Sequence, residues 1–194
     1  MQPTQPHFPL PHPNCYWVTP GRFLAGEYPG APFVATARQR LLDHVAAGVT
    51  FFLDLTHPMD PLAPYEPLLG EIADLTQTRL VYQRLAIVDR SIPTHHQMVK
   101  ILDTLDQALA DGHCLYLHCW GGVGRTGTVV GCYLVRHGAT GEAALAHLAQ
   151  LWQNVAKLDR HPFSPETPQQ VAMIRNWPQG EGRVPGVVNP TRGA

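Results

Sequence analysis

Cys119 and Arg125 stand at the two ends of a glycine-rich run, Cys119-Trp120-Gly121-Gly122-Val123-Gly124-Arg125. The nucleophilic form of cysteine is the thiolate, and both a helix N-terminus and a neighbouring cation favour it. Arg125 offers a planar fork that matches two oxygens of a phosphate group while sulfur approaches phosphorus in line. Between them, Gly121, Gly122 and Gly124 accept backbone angles that side chains forbid. Successive N–H groups from Trp120 through Val123 to Arg125 are thereby free to point inward as an anion cradle. The chemistry implied is covalent phosphoryl transfer. A nucleotide-binding loop of the Walker type is excluded, because no Gly-Lys-Ser/Thr ending is present to reach terminal phosphates.

Such a cradle needs a strand to deliver it and a helix to receive it. Leu115, Tyr116 and Leu117 read as a short buried strand, and residues 126–137 read as a helix closed by Gly138. The helix dipole adds partial positive charge at the loop. A departing alkoxide or phenoxide also needs a proton, and a carboxylic acid on a loop facing the cradle supplies it. Asp89 is the candidate, at the end of a strand predicted over residues 79–87 and just before Pro93. Asp54, at the end of a continuous apolar strand over 49–55, reads instead as a strand terminator or turn cap. Further helices are predicted over 36–47, over 65–75, from Thr94 to a stop at Gly112, and over 140–155, with a last one ending near Trp177. Thr94 and Gln97 have capping-box spacing at the start of the third. Strands alternating with helices around a fully buried strand give an α/β domain with its sheet covered on both faces.

The run His118-Cys119-Trp120-Gly121-Gly122-Val123-Gly124-Arg125-Thr126-Gly127 follows the pattern His-Cys-x5-Arg-Thr-Gly. It resembles the signature loop of the cysteine-dependent protein tyrosine phosphatase superfamily, and the small chain is similar to the compact dual-specificity branch with its bacterial members. That resemblance implies a central, mostly parallel twisted sheet with helices on both faces. It implies that Cys119, Arg125, Asp89 and Thr126 are catalytic, Thr126 through a hydroxyl that bonds the thiolate. It also implies that His118 braces the loop and that Gln170 orients the hydrolytic water. No tryptophan precedes Asp89, a departure from the larger tyrosine phosphatases, so a large loop closure is not expected.

The chain has 194 residues, of which 44% are hydrophobic and 15% charged, with a formal charge of −1. That suits one phosphatase domain, expected over residues 15–178 between a proline-rich arm (1–14) and a loose tail (179–194). The charge balance argues against nucleic acid as a partner, and no apolar run reaches the roughly 18 residues of a membrane helix. The four cysteines lack zinc-type pairing and no secretory segment follows Met1, so reduced thiols and a cytoplasmic location are expected. Neither a metal nor a cofactor is called for. The expected partner is a phosphorylated protein or peptide, because the variable loop positions carry no lysine. Other readings are a phosphatase of a small phosphorylated metabolite such as an inositol phosphate, a non-catalytic phosphate-binding module, and a sulfur-transfer or arsenate-reducing enzyme.

Overall fold

The computed structural model describes residues 8–180. Residues 1–7 of the expected arm and 181–194 of the expected tail lie outside the described residues. Strands β1 (Cys15–Thr19) and β2 (Phe23–Gly26) form an antiparallel hairpin, and β3 (Phe51–Asp54), β4 (Val81–Arg84) and β5 (Leu115–His118) complete a five-stranded sheet. Its order is β1-β2-β5-β3-β4, with β2, β5, β3 and β4 mutually parallel.

Register decides where the chemistry sits. Gly26 pairs with His118 and His118 with Asp54, while Asp54 pairs with Arg84, so four strand ends lie in one row. Every loop that follows a parallel strand therefore leaves from the same edge, which is where open α/β sheets place their ligands.

The central strand shows how both faces are covered. Leu115 and Leu117 enter one apolar cluster with Phe51 and Leu53, whereas Tyr116 enters the other with Phe52, the two-residue period of a strand buried on both sides. Helices α1 (Val34–Ala46) and α2 (Glu66–Thr76) carry Leu41, Leu69 and Ile72 into the second cluster. The opposite face is covered by α3 (His95–Ala110), α4 (Gly124–Arg136), α5 (Gly141–Trp152) and α6 (Pro168–Arg175). The expected stripe on α3, from Met98 through Ile101, Leu102 and Leu105 to Ala108, is buried there.

Two local expectations shift. The predicted strand over 79–87 is ordered as strand only across Val81–Arg84; beyond it single bonds from Leu85 N to Asp54 O and from Ile87 N to Leu55 O continue the pairing into the loop that carries Asp89. At α3, Thr94 does accept from the Gln97 N–H, but the Gln97 side chain donates to the Ala86 carbonyl instead of closing the box. That bond fastens the acid-bearing loop to the helix. No helix among the described residues is long and apolar enough to cross a membrane.

Candidate active site

The cradle is held from behind by its own carbonyls. Trp120 O accepts from the Tyr28 N–H (2.9 Å), Gly121 O from Lys157 Nζ (2.7 Å) and Val123 O from Ser164 Oγ (2.8 Å). A trans peptide directs its C=O and N–H to opposite sides, so carbonyls drawn outward leave N–H groups facing the loop interior. The Gly122 N–H donates to Cys119 Sγ at 3.2 Å. Gly122 has φ of +72°, and a side chain there would lie 2.5 Å from the Gly26 carbonyl carbon, so only glycine fits. Gly124 is packed against the side chains of Glu166 and Gln170. Gly121 differs from the expectation: a Cβ there would make only an ordinary 3.6 Å contact with Val123, so space does not require glycine.

Cys119 is buried at the base of a cleft of about 180 Å³ that also exposes Arg125 and Asp89. The Trp120 side chain stands half-exposed on its lip. Arg125, in the first turn of α4, gives Nη1 to Asp60 Oδ2 (2.7 Å) and to the Ile87 carbonyl (3.0 Å). Its Nη2 forms an ion pair with Asp89 Oδ1 at 2.8 Å, off the N–H direction, and Nε and Nη2 make no hydrogen bond among the described residues. Burial works against the charge of Arg125, but Cys119, Asp60 and Asp89 together hold its pKa above the ordinary arginine value. One end of the guanidinium is thus anchored by hydrogen bonds, and the other meets the Asp89 carboxylate.

His118 is fully buried beneath the loop. Its Nε2 lies 2.7 Å from Tyr65 Oη and its Nδ1 3.3 Å from the Cys119 carbonyl. Burial pushes its pKa below the usual imidazole range against the pull of Asp54. The pattern fits a neutral ring that accepts from Tyr65 and donates to Cys119 O. Asp54 behaves as the turn brace expected of it: Oδ1 accepts from the Thr56 N–H (2.7 Å), and Oδ2 from Tyr82 Oη (2.7 Å) and Arg84 Nε (3.0 Å).

Two expected positions take other partners. The Thr126 hydroxyl donates to the Gly26 carbonyl over a long 3.5 Å, and the sulfur receives the Gly122 N–H. Gln170 reaches the loop at Gly124, and its amide is held by partners on both atoms. Oε1 accepts from the N–H groups of Glu166 and Thr167 in a complete capping box, and Nε2 donates to Ser91 O (3.2 Å). The cleft instead receives Glu166 and His161, and Asp60 grips Arg125. None of the three carries a local sequence signal, because each is a lone polar residue in a loop.

Burial raises the other thiols, Cys15 to about 12 and Cys114 to about 11, with Cys132 higher still. All four cysteines are free.

Residues 12–180 match the family described as Swiss Army Knife protein, DSP-PTPase phosphatase domain. The chain belongs to that family. It is a phosphatase of the tyrosine and dual-specificity type, and the family span takes in every strand and helix described above. Among solved structures, this DSP-PTPase domain is similar to Tk-PTP in its active form, with 21% identity, 89% of this chain and 99% of that one covered, and a TM-score of 0.57. It is similar to the core catalytic domain of the PP-IP phosphatase SIW14 from S. cerevisiae bound to citrate, at 18% identity, covering 87% and 88%, with a TM-score of 0.59. It is also similar to P. aeruginosa TpbA in complex with pTyr, at 18% identity, covering 86% and 85%, with a TM-score of 0.57. At these identities the likeness is one of fold.

Proposed function

We propose that this DSP-PTPase domain hydrolyses phosphomonoesters through a cysteinyl-phosphate on Cys119, acting on phosphotyrosine or dual-specificity phosphoprotein substrates. The observation that carries the reading is the divided guanidinium of Arg125. Nη1 is fixed by Asp60 and Ile87 O, while Nε and Nη2 have no hydrogen-bond partner among the described residues and Nη2 meets the Asp89 carboxylate, in a cleft that Arg125 lines together with Cys119. The Nε–Nη2 edge matches two oxygens of a phosphate held over the sulfur.

The steps follow from the layout. The phosphate oxygens take the Nε–Nη2 edge and the inward N–H groups, and displace Asp89 from its ion pair. Cys119 sulfur forms the S–P bond as the P–O bond breaks, and Asp89, which takes up a proton from solvent once the phosphate has parted it from Arg125, gives that proton to the leaving oxygen. Water then attacks phosphorus with Asp89 as base, the S–P bond breaks, and phosphate and thiolate are regenerated. The Gly122 N–H stabilises that thiolate, a role the resemblance assigned to Thr126. Thr126 joins the helix to β2 beneath it.

Charge supports a monophosphate on an uncharged group. Arg125 is paired with the carboxylate of Asp89, Glu166 and His161 line the same cleft, and Trp120, Gly121, Gly122 and Val123 add no cation. A polyanion such as an inositol polyphosphate would bring further negative charge against those carboxylates, whereas an aryl group meets the Trp120 ring on the lip.

A panel of phosphotyrosine, phosphoserine and phosphothreonine peptides with inositol polyphosphates tests the substrate class. The phosphotyrosine peptide should have the highest kcat/KM; a higher value for the polyphosphate would replace the protein substrate. Cys119→Ser should abolish turnover, and retained phosphatase activity in that variant would refute the cysteinyl-phosphate.

A further inference from the structure

The Gly121–Gly122 peptide is the softest part of the cradle. Neither residue has a side chain to fix it, and a coupled rotation of one ψ and the next φ turns such a peptide over at little steric cost. In a trans peptide this exchange puts the carbonyl oxygen where the N–H was. The Gly122 N–H that points at Cys119 Sγ would be replaced by the Gly121 oxygen, which repels both a thiolate and a phosphate. A side chain cannot lock the peptide at Gly122, because it would collide with the Gly26–Glu27 backbone. The lock has to come from elsewhere in the chain.

Lys157, in the turn after α5, sits behind the loop and is largely buried. Its Nζ donates to Gly121 O at 2.7 Å and to Glu27 Oε2 at 2.5 Å. Glu27 is itself fixed: Asn14 Nδ2 donates to its carboxylate (3.2 Å), His12 Nδ1 stands 3.3 Å from Oε1, and Tyr116 Oη donates to its backbone carbonyl (2.5 Å). A buried ammonium needs a counter-charge, and Glu27 supplies one while aiming Nζ at the carbonyl.

We propose that Lys157 is a positioning residue. It pulls the Gly121 carbonyl to the rear and so holds the Gly122 N–H toward Cys119 in the anion-binding orientation, with Glu27 as its anchor. The proposal rests on Cys119 being the nucleophile of the reaction above. Its effect is on the orientation of one peptide, and it contributes no atom to the bonds that form and break.

The test follows the pH dependence of iodoacetamide alkylation of Cys119 and the inhibition constant of orthovanadate in Lys157→Met, Lys157→Arg and Glu27→Ala. Asp89, Arg125, His161 and Glu166 in front of the loop, and His12 behind it, are common to all three, so differences between variants report the substitutions. In Lys157→Met the alkylation midpoint should rise by about one pH unit, a tenfold change in thiolate fraction below it. Orthovanadate should bind about tenfold more weakly, the loss of one hydrogen bond to a charged group. Arginine should restore part of both, since it keeps a cationic donor. Glu27→Ala separates orientation from simple charge. If Lys157 acted only through its field, removing the neighbouring carboxylate would lower the midpoint; loss of the anchor should raise it. A lowered midpoint in Glu27→Ala, or unchanged alkylation and orthovanadate binding in Lys157→Met whatever its thermal stability, would overturn the proposal. If the unsubstituted protein turns over no phosphoester, the phosphatase mechanism fails, and the alkylation midpoints still report on Lys157.

Discussion

Helix α4 carries a buried arginine at each end, and each is gripped by one buried and one half-exposed carboxylate. Arg125 has a side-chain exposure of 1% and its partners Asp60 and Asp89 have 7% and 47%. Arg136 has 0%, with Asp106 at 3% and Asp103 at 46%. By charge and burial the two are nearly the same. They differ in where the carboxylates come from: Asp103 and Asp106 share one face of α3, three residues apart, whereas Asp60 and Asp89 come from two separate loops after β3 and β4. Helix packing holds both partners of Arg136 together, with His137 Nε2 adding a contact to Asp106 at 3.1 Å. At Arg125 the two carboxylates are carried on separate loops, so nothing in the packing of the described residues couples the position of Asp89 to that of Asp60. A buried, doubly paired arginine is therefore a brace or a substrate clamp according to whether its counter-charges can move independently.

Exchanging each arginine should break the parallel most sharply. Arg125→Lys keeps charge but loses the planar edge, and should lower kcat on aryl phosphates by about 10²–10³-fold, the range for removing a preorganised donor to transition-state charge. Arg136→Met should leave kcat of the folded protein nearly unchanged while costing about 3–5 kcal/mol in denaturant unfolding, because Asp106 is left buried without its cation. Equal effects of the two substitutions on kcat would remove the distinction.

Asp89→Ala comes next, and it tests the movable carboxylate. Turnover of alkyl or phenyl phosphates should fall by about 10²-fold, with a smaller loss on para-nitrophenyl phosphate, whose leaving group needs no proton. Unfolding free energy should barely change, since a half-exposed ion pair contributes little. The same loss on every leaving group would place the acid elsewhere in the cleft, with Glu166 next in line.

How much of this could be read from the chain depends on sequence distance. Residues 115–127 were legible because strand, turn and helix start are contiguous, and the glycines and Arg125 report their geometry through residue type. Asp89 was legible through its place in the loop that follows a strand, although that strand ends earlier than expected, at Arg84. Both apolar faces of the sheet followed from the unbroken hydrophobic character of 49–55 and 115–117. Asp60 and Lys157 were not legible: they meet the loop across 65 and 36 residues, and an aspartate in a proline-rich loop or a lysine after a helix has no local pattern to mark it. Gln170 differs from these two in having a local pattern around it. Thr167 and Gln170 have capping-box spacing, which the chain did show, and the structure uses the glutamine there. The box expected at Thr94 and Gln97 is half-formed: Thr94 accepts from the Gln97 N–H, while the Gln97 side chain is drawn toward the acid-bearing loop, where its Nε2 donates to Ala86 O.

Asp60→Asn addresses the fixed carboxylate. The amide keeps an acceptor for Arg125 Nη1 and for the His57 N–H but loses the charge, so Arg125 should hold its position less firmly. The expected change is about a tenfold fall in kcat/KM with the dependence on leaving group intact, since a hydrogen bond to a charged partner is worth about 1.5–3 kcal/mol and only part of it is removed. A selective loss on poor leaving groups would instead make Asp60 a proton donor.

The smallest expected effect belongs to Asp103, which occupies in the brace the place that Asp89 occupies in the clamp. Asp103→Asn removes a half-exposed charge from Arg136 while Asp106 and the packing of α3 against α4 remain. Unfolding free energy should change by less than about 1 kcal/mol, and turnover should not change at all. Asp106→Asn, at the buried partner, should cost more than Asp103→Asn, because it leaves Arg136 with only its solvent-facing counter-charge. The paired urea titrations would give one ordering in the brace, buried partner over exposed. In the clamp the kinetic ordering runs the other way, with exposed Asp89 over buried Asp60. If Asp103 proved as costly as Asp106, the two carboxylates on α3 would be acting as a unit. Half-exposure would then mark mobility only where the carboxylate is carried on a loop.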